Sequence, residues 1–169
     1  MAKAADSSVT TKKWVGRSVR RTEDRRLLTG RGQFLDDMKR PGMCHAAVLR
    51  SPYPHAIIKS VDVSEALKIP GVRGVLTGED VGRMSRPFPQ AVDEPLEYYC
   101  IGVDRVRYVG EGVAVVVAED RYIAEDALQF IRVDYEPLLP VVDVEKAIEE
   151  GAPILHPKVK TNVINHRNL

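Results

Sequence analysis

Cysteine is scarce in this chain, with Cys44 and Cys100 the only two in 169 residues. Two are too few for a disulfide framework at this length, so a cytoplasmic, reduced setting is expected. The sequence does not open on the basic start, apolar centre and small-residue cleavage site of a secretory signal. Apolar runs are short: the longest, residues 113–118, is strand-sized, far below the roughly 20 residues that span a bilayer. Charge of one sign is also lacking, with 25 Lys and Arg against 24 Asp and Glu. That balance provides no global field to draw the chain to nucleic acid or a membrane.

The usual chemical signatures are missing too. In "RYVGEGVAVVVAED", Gly110 and Gly112 flank Glu111, but a phosphate-binding glycine loop follows a strand and opens a helix, where the free N–H groups lie. Here the glycines precede the strand, a third glycine is absent, and no Lys-Ser/Thr pair follows. A bulge or tight turn that lets another backbone approach closely is the favoured reading. Cys44 and His45 are adjacent and on a strand point to opposite faces, and an iron–sulfur cluster usually takes four thiolates, so no metal site is expected. His55, His156 and His166 read as surface or capping histidines. There is no Gly-x-Ser-x-Gly elbow, and the acidic pairs Asp36-Asp37, Glu119-Asp120 and Glu149-Glu150 read as solvated caps. No catalytic residue is assigned to this chain.

What the sequence does contain is a local imbalance and a regular middle. Residues 1–11 are small and polar and are expected to be disordered. Residues 12–31 hold eight basic side chains and two acidic ones, in a stretch with few apolar residues, predicting an arm that runs extended over another surface. From Met43 onward, "MCHAAVLRS", "AIIKSVDVS", "VRGVLT", the run at 113–118 and "IRVDYEP" read as strands. The run at 113–118 is continuous and β-branched, the mark of a strand covered on both faces. Short helices fit "EALKI", capped by Ser64, the segment after Asp120, and "VEKAIEE", capped by Asp143 and closed by Gly151. Residues 82–100 read as an irregular loop. The predicted order is β-β-α-β, loop, β-α-β-α, an α+β domain. Its parts are a basic arm at 1–42, a folded domain at 43–151 and an extended tail at 152–169.

The stretches "GRSVRRTEDRRLLTGRGQFLDDMKRPGMCHAAVLRSPYPHAIIKSVDVSEALKIPGV", "GVRGVLTGED", "RYVGEGVAVVVAEDRYIAEDALQFIRVDYEPLLPVVD" and "GAPILH" carry a resemblance. In this order they resemble the start of the molybdopterin-binding large subunit of the xanthine dehydrogenase and aldehyde oxidase family, which includes bacterial carbon monoxide dehydrogenase. The resemblance implies an a/b hammerhead domain preceded by an arm. It also implies a complex that hydroxylates an aldehyde or N-heterocycle, or oxidises carbon monoxide, with electrons passing from molybdenum through two [2Fe-2S] clusters to FAD. The family's glycine-rich cofactor segment, its glutamine near molybdenum and its glutamate base have no counterpart in these 169 residues. This chain alone is therefore expected to be inactive and to bind no cofactor by itself. It would be either a split subunit or a fragment that completes an interface. Its expected partners are the molybdenum-binding remainder of the large subunit, an iron–sulfur subunit and an FAD subunit, with no nucleic acid. The residues expected to contact them are Arg17, Arg20, Arg21, Arg25, Arg26, Gly30, Arg31 and Gly32. Tyr108, Val109, Gly110 and Glu111 are expected nearest the buried cofactors. The competing reading is a stand-alone binding module whose basic arm takes acidic partners.

Overall fold

A computed structural model describes residues 14–92 and 96–167; the stretch at 1–11 lies outside them. The chain divides into two units, Met1–Pro41 and Gly42–Leu169.

In the first unit no described residue is buried. The expectation of an arm extended throughout fails at α1, Asp24–Leu28. Arg and Leu are good helix formers, and Arg26 pairs with Glu23 at 2.8 Å across one turn, which stabilises the helix weakly. Its end is a Schellman motif: Arg31 N donates to Arg26 O, Gly30 N donates to Leu27 O, and Gly30 takes φ +69°. A glycine at this position adopts the left-handed region at no steric cost. Further on, Phe34 N donates to Asp37 Oδ2 at 3.0 Å and fixes a turn at Leu35–Asp37.

The second unit holds two antiparallel sheets of three strands. The strands are β1 His45–Arg50, β2 Ala56–Asp62, β3 Val72–Thr77, β4 Arg105–Val106, β5 Gly112–Ala118 and β6 Arg132–Pro137. One sheet runs β1-β5-β3 and the other β4-β2-β6. As the unbroken apolar run predicts, β5 is a middle strand, with Val113, Ala114, Val116 and Ala118 inaccessible to solvent. The helix α3, Arg121–Ala127, packs on this sheet through Ala124 and Ala127. Asp120 caps it, accepting from Tyr122 N at 2.7 Å. Alanines at 47, 114, 118, 124 and 127 let helix and sheet approach closely, while Val61 and Val133 bring the second sheet into the same core. Burying one such valine fully is worth about 1.5–3 kcal/mol.

Two predicted helices need correction, and one helix was not predicted. "EALKI" is only a 3₁₀ turn, Ala66–Lys68, without a side-chain cap; Ser64 donates its N–H to Asp62 Oδ1 at 3.0 Å, so Asp62 organises the turn. "VEKAIEE" reduces to the 3₁₀ turn Lys146–Ile148, although Asp143 Oδ1 does accept from Glu145 N at 3.0 Å. Ile69, held extended ahead of Pro70, stops the first after one turn, and Glu149 is extended at the end of the second. Conversely, α2, Gly78–Met84, begins before the expected loop and extends into it. Its start is fixed by Asp80 Oδ2, which accepts from Thr77 N at 2.9 Å and from Thr77 Oγ1 at 2.8 Å. These bonds hold the Asp80 carboxyl below its usual range. The two-residue β4 was also unexpected.

From Ala152 onward the chain is gathered by one side chain. Asn162 Nδ2 donates to Ala147 O and Pro153 O at 3.0 and 2.9 Å, and its Oδ1 accepts from Leu155 N at 3.1 Å. Among the described residues no helix is long and apolar enough to cross a membrane.

The tightest backbone contact joins α2 to the loop before β4. A Cβ on Gly78 would lie 2.1 Å from Gly102 O, and a backbone oxygen cannot rotate away. Gly78→Ala should therefore cost at least about 2 kcal/mol, read as a lower denaturant midpoint. Gly74, which has open space around its Cβ direction, is the control: Gly74→Ala should be neutral or gain about 0.5 kcal/mol.

Candidate functional site

The segment between β4 and β5 turns the chain into the buried strand. Gly110, at φ +92°, allows the reversal, and Glu111 N closes it by donating to Tyr108 O at 3.2 Å. The turn is then tied to the end of β1: Gly110 N donates to Ser51 O and Ser51 N to Glu111 O, both at 2.8 Å. Arg50 Nη1 donates to Gly110 O, also at 2.8 Å. The β1–β5 register shifts between Leu49 and Arg50, so Arg50 faces Gly112. Gly112 itself admits no side chain without displacing Ile101 and Val48, whose carbons lie 3.0 and 3.2 Å from its Cβ direction. Its carbonyl accepts from Gly102 N at 2.8 Å. The glycine pair thus builds a tight turn and a bulge that brings two backbones together, as the residue order implied.

Glu111 is the unusual member, a carboxylate only 3% exposed. Its Oε2 accepts from Arg107 N at 2.5 Å. Burial pushes its pKa up, and the Arg107 N–H and guanidinium offset only part of that rise. By contrast Tyr108 and Val109, at the tip of the turn, are exposed. The Tyr108 hydroxyl lies 2.9 Å from that of Tyr98, and this hydrogen bond, then burial, raises its pKa to about 12.

Beside the turn lies a cleft of about 430 Å³ whose walls include Tyr98, Tyr99, Arg107, Glu111, His156 and Val159. Arg107 spans it, with Nε donating to Leu155 O at 3.1 Å and Nη2 pairing with Asp104 Oδ1 at 3.4 Å. Arg105 Nε meets the other Asp104 oxygen at 3.1 Å. Burial alone would raise the Asp104 pKa, but the Arg105 hydrogen bond and the Arg107 charge prevail and lower it. Burial, then the Arg107 and Arg105 charges, disfavour protonation of His156. Lys158 Nζ joins Glu97 Oε2 at 2.5 Å across the rim.

The carboxylates of this cleft are thus engaged in ion pairs or backbone hydrogen bonds, and no nucleophile stands beside a base in the way covalent catalysis needs. Among the described residues no group of three or more His, Cys, Asp or Glu could hold a metal. Cys44 and Cys100 are both free and exposed.

The histidines correct one expectation. His55 is not a surface residue: it is 3% exposed, with Nδ1 donating to Leu139 O at 2.8 Å. Its backbone carbonyl also accepts from Leu138 N at 2.9 Å, so it clasps the chain leaving β6 to the start of β2. The half-buried His156 belongs to the cleft, whereas His166 is exposed.

In the arm Arg17, Arg20, Arg21, Arg25, Arg26 and Arg31 are all exposed, as is Gly30, while Gly32 is half-buried. Gly32 lies against Leu27, whose Cδ2 is 2.9 Å from its Cβ direction. Sequence reasoning missed Tyr98, Asp104, Arg107 and His156. The alternation in "DRVRY" was the one available hint, and nothing local announced their convergence.

Residues 29–139 match the family described as "Aldehyde oxidase and xanthine dehydrogenase, a/b hammerhead domain". The 6-hydroxypseudooxynicotine dehydrogenase complex subunit gamma of Paenarthrobacter nicotinovorans is 40% identical over 143 residues, covering 80% of this chain and 18% of that protein. The carbon monoxide dehydrogenase large chain of Afipia carboxidovorans is 39% identical over 146 residues, covering 86% of this chain and 18% of its own length. Among solved structures, quinoline 2-oxidoreductase from Pseudomonas putida 86 superimposes with a TM-score of 0.79 at 44% identity, over 89% of this chain and 20% of that one. The chain spans about a fifth of the length of these relatives.

Two outcomes follow from the turn. Glu111 titrates above the ordinary 4.5 in the folded chain, so its stability contribution is greatest below that value and is lost as pH rises through the raised pKa. Glu111→Gln removes this dependence, and the stability of the variant relative to wild type should rise between about pH 4 and 7, as followed by denaturant midpoints. Separately, Tyr98→Phe deletes the main cause of the Tyr108 shift. Spectrophotometric titration should then place Tyr108 closer to 10 than to its present value of about 12.

Proposed function

Since the chain belongs to the aldehyde oxidase and xanthine dehydrogenase family, as an a/b hammerhead domain, we propose that it is the hammerhead part of a molybdenum hydroxylase. On this reading residues 1–42 are an interface arm, 43–151 the hammerhead and 152–169 a tail. The reaction, oxidation of an aldehyde, N-heterocycle or related substrate, takes place on residues outside this chain.

The observation that carries the reading is the arm. From residue 14 to 41 no side chain is buried, yet Trp14, Val15, Leu28, Phe34 and Leu35 are each more than half exposed among the arginines. Such a segment gains little from its own packing, and its apolar and guanidinium groups match the anchors of protein interfaces. Arg17, Arg20, Arg21, Arg25, Arg26 and Arg31 would meet acidic surface, with Gly30 and Gly32 shaping the turn between them.

The cofactors of such a complex fit the partners better than this chain. An iron–sulfur cluster needs a thiolate set that two exposed cysteines do not supply, and the Gly110-Gly112 turn leads into a strand rather than a helix. Molybdopterin would belong to the remainder of the large subunit, the two [2Fe-2S] clusters and FAD to their own subunits, in a cytoplasmic complex. A relative bearing the name nicotinate dehydrogenase large molybdopterin subunit, from Eubacterium barkeri, 32% identical over 152 residues, supports placing molybdopterin on the large subunit.

Purification of the tagged full chain from its native cells tests this. Size-exclusion chromatography with metal and flavin analysis should show it eluting with larger chains, with molybdenum, iron and flavin in the same fraction. A lone monomer without them, or turnover of an aldehyde or heterocycle by the isolated chain, would refute the reading. Salt-sensitive binding of the isolated chain to polyanions would instead favour a stand-alone module.

A further inference from the structure

The turn at 107–112 is held far more firmly than an exposed connection requires. Its backbone is fixed by Glu111 N to Tyr108 O, Gly110 N to Ser51 O and Ser51 N to Glu111 O. Two side chains brace it from outside, Arg50 on Gly110 O and Tyr98 on the Tyr108 hydroxyl. From inside, the buried carboxylate of Glu111 takes the Arg107 N–H. An ordinary surface turn needs none of this.

What the scaffold presents is apolar. Val109 is 64% exposed and Tyr108 47% exposed, and Gly110 follows with open space around it. The tip bears no ionised side chain: the Tyr108 phenol already has Tyr98 as partner, and Arg50 and Arg107 both reach for backbone carbonyls. A rigid tip led by Val109 and the Tyr108 ring, with the Arg50 cation drawn back onto the Gly110 carbonyl, gains from entering an apolar cavity and loses little entropy on doing so. A small molecule would need a concavity, which the tip is not. About four fifths of each relative's length lies outside the match, and that additional chain is the occupant that the size relation supports.

We infer that the turn at 107–112 is a preorganised plug whose tip, Tyr108 and Val109, seats in an apolar socket on the remainder of the large subunit. This rests on the function proposed above and adds a contact to it. Glu111 acts as a positioning residue: it touches no partner and fixes the shape that does.

The test uses the full tagged chain, co-expressed with the quinoline 2-oxidoreductase large chain of Pseudomonas putida 86 lacking the fifth that this chain matches. That fifth, expressed separately, serves as positive control for a folded remainder. The wild-type chain should retain the remainder, and Val109→Asp should weaken retention at least about tenfold, as hot-spot losses do. Leu67→Asp, at a half-exposed site in the 3₁₀ turn before β3, should change it less than about twofold. Retention by Val109→Asp equal to wild type overturns the plug and leaves the proposed function standing. Failure of the wild-type chain to retain a remainder that the relative's own fifth does retain overturns both. A second measurement reads the positioning role alone: hydrogen exchange of the Arg107 amide should be slow in wild type and in Glu111→Gln, and fast in Glu111→Ala. Equal protection in all three overturns the role of Glu111.

Discussion

The arrangement of the folded unit follows from how β5 enters the core, because a strand enclosed on both edges and shielded on its faces must begin within one or two residues of solvent. Val113, Ala114 and Val116 have no accessible surface, whereas Val109, three positions before Gly112, is mostly exposed. The transition is compressed into Gly110, Glu111 and Gly112. Gly112 is pressed by Ile101 and Val48, so a side chain there would displace the strand, and Gly110 carries a left-handed φ that other residues adopt only with strain. The rigidity of the turn is thus inherited from the core behind it. A rigid connection on the surface is a by-product of burying the strand, and this chain supplements it with polar contacts of its own.

Glu111 shows that these added contacts are not there for stability alone. Burial opposes its charge more than the Arg107 N–H and guanidinium favour it, so the ionised carboxylate is a net cost to folding. A polar group retained under such terms is better explained by the geometry it specifies than by the energy it contributes. Only the carboxylate reaches back four residues to close the turn around Tyr108 and Val109. The neighbouring cleft obeys a different rule, since Asp104 is held in its charged state by Arg105 and Arg107. One carboxylate shapes backbone, and the other neutralises two guanidinium groups.

Much of the fold was legible in the sequence wherever a local signal matched a local cause. The unbroken β-branched run announced β5, Asp120 announced the start of α3, and the alternation in "IRVDYEP" announced β6. The errors have physical reasons. "EALKI" has helical periodicity, but Ile69 is held extended by the following Pro70 and ends it after one 3₁₀ turn. The Thr77 and Asp80 cap of α2 is a Thr-x-x-Asp pattern that the reading of the following segment as a loop passed over. In the arm, arginines and leucines with a terminal glycine were sufficient for a helical turn, although their charge suggested an extended chain. The site was less legible than the fold. The turn stood out because its glycines broke an apolar run, while the cleft depends on Asp104, Arg107 and His156 meeting across nearly a third of the chain, and no spacing rule connects them.

Under the function proposed above, arm and turn would be two opposite ways of readying a surface for a partner. On the proposed function the arm, which has α1 but no buried residue among those described, would gain its packing only on association, and a segment that orders on binding gives up affinity per unit area in return for reach. The turn has already lost its freedom during folding, so its few apolar atoms can contribute at full strength. A chain with both can make first contact broadly through arginines and then fix its register through a small rigid tip. On the function proposed above, that division would suit a domain placed accurately against other chains.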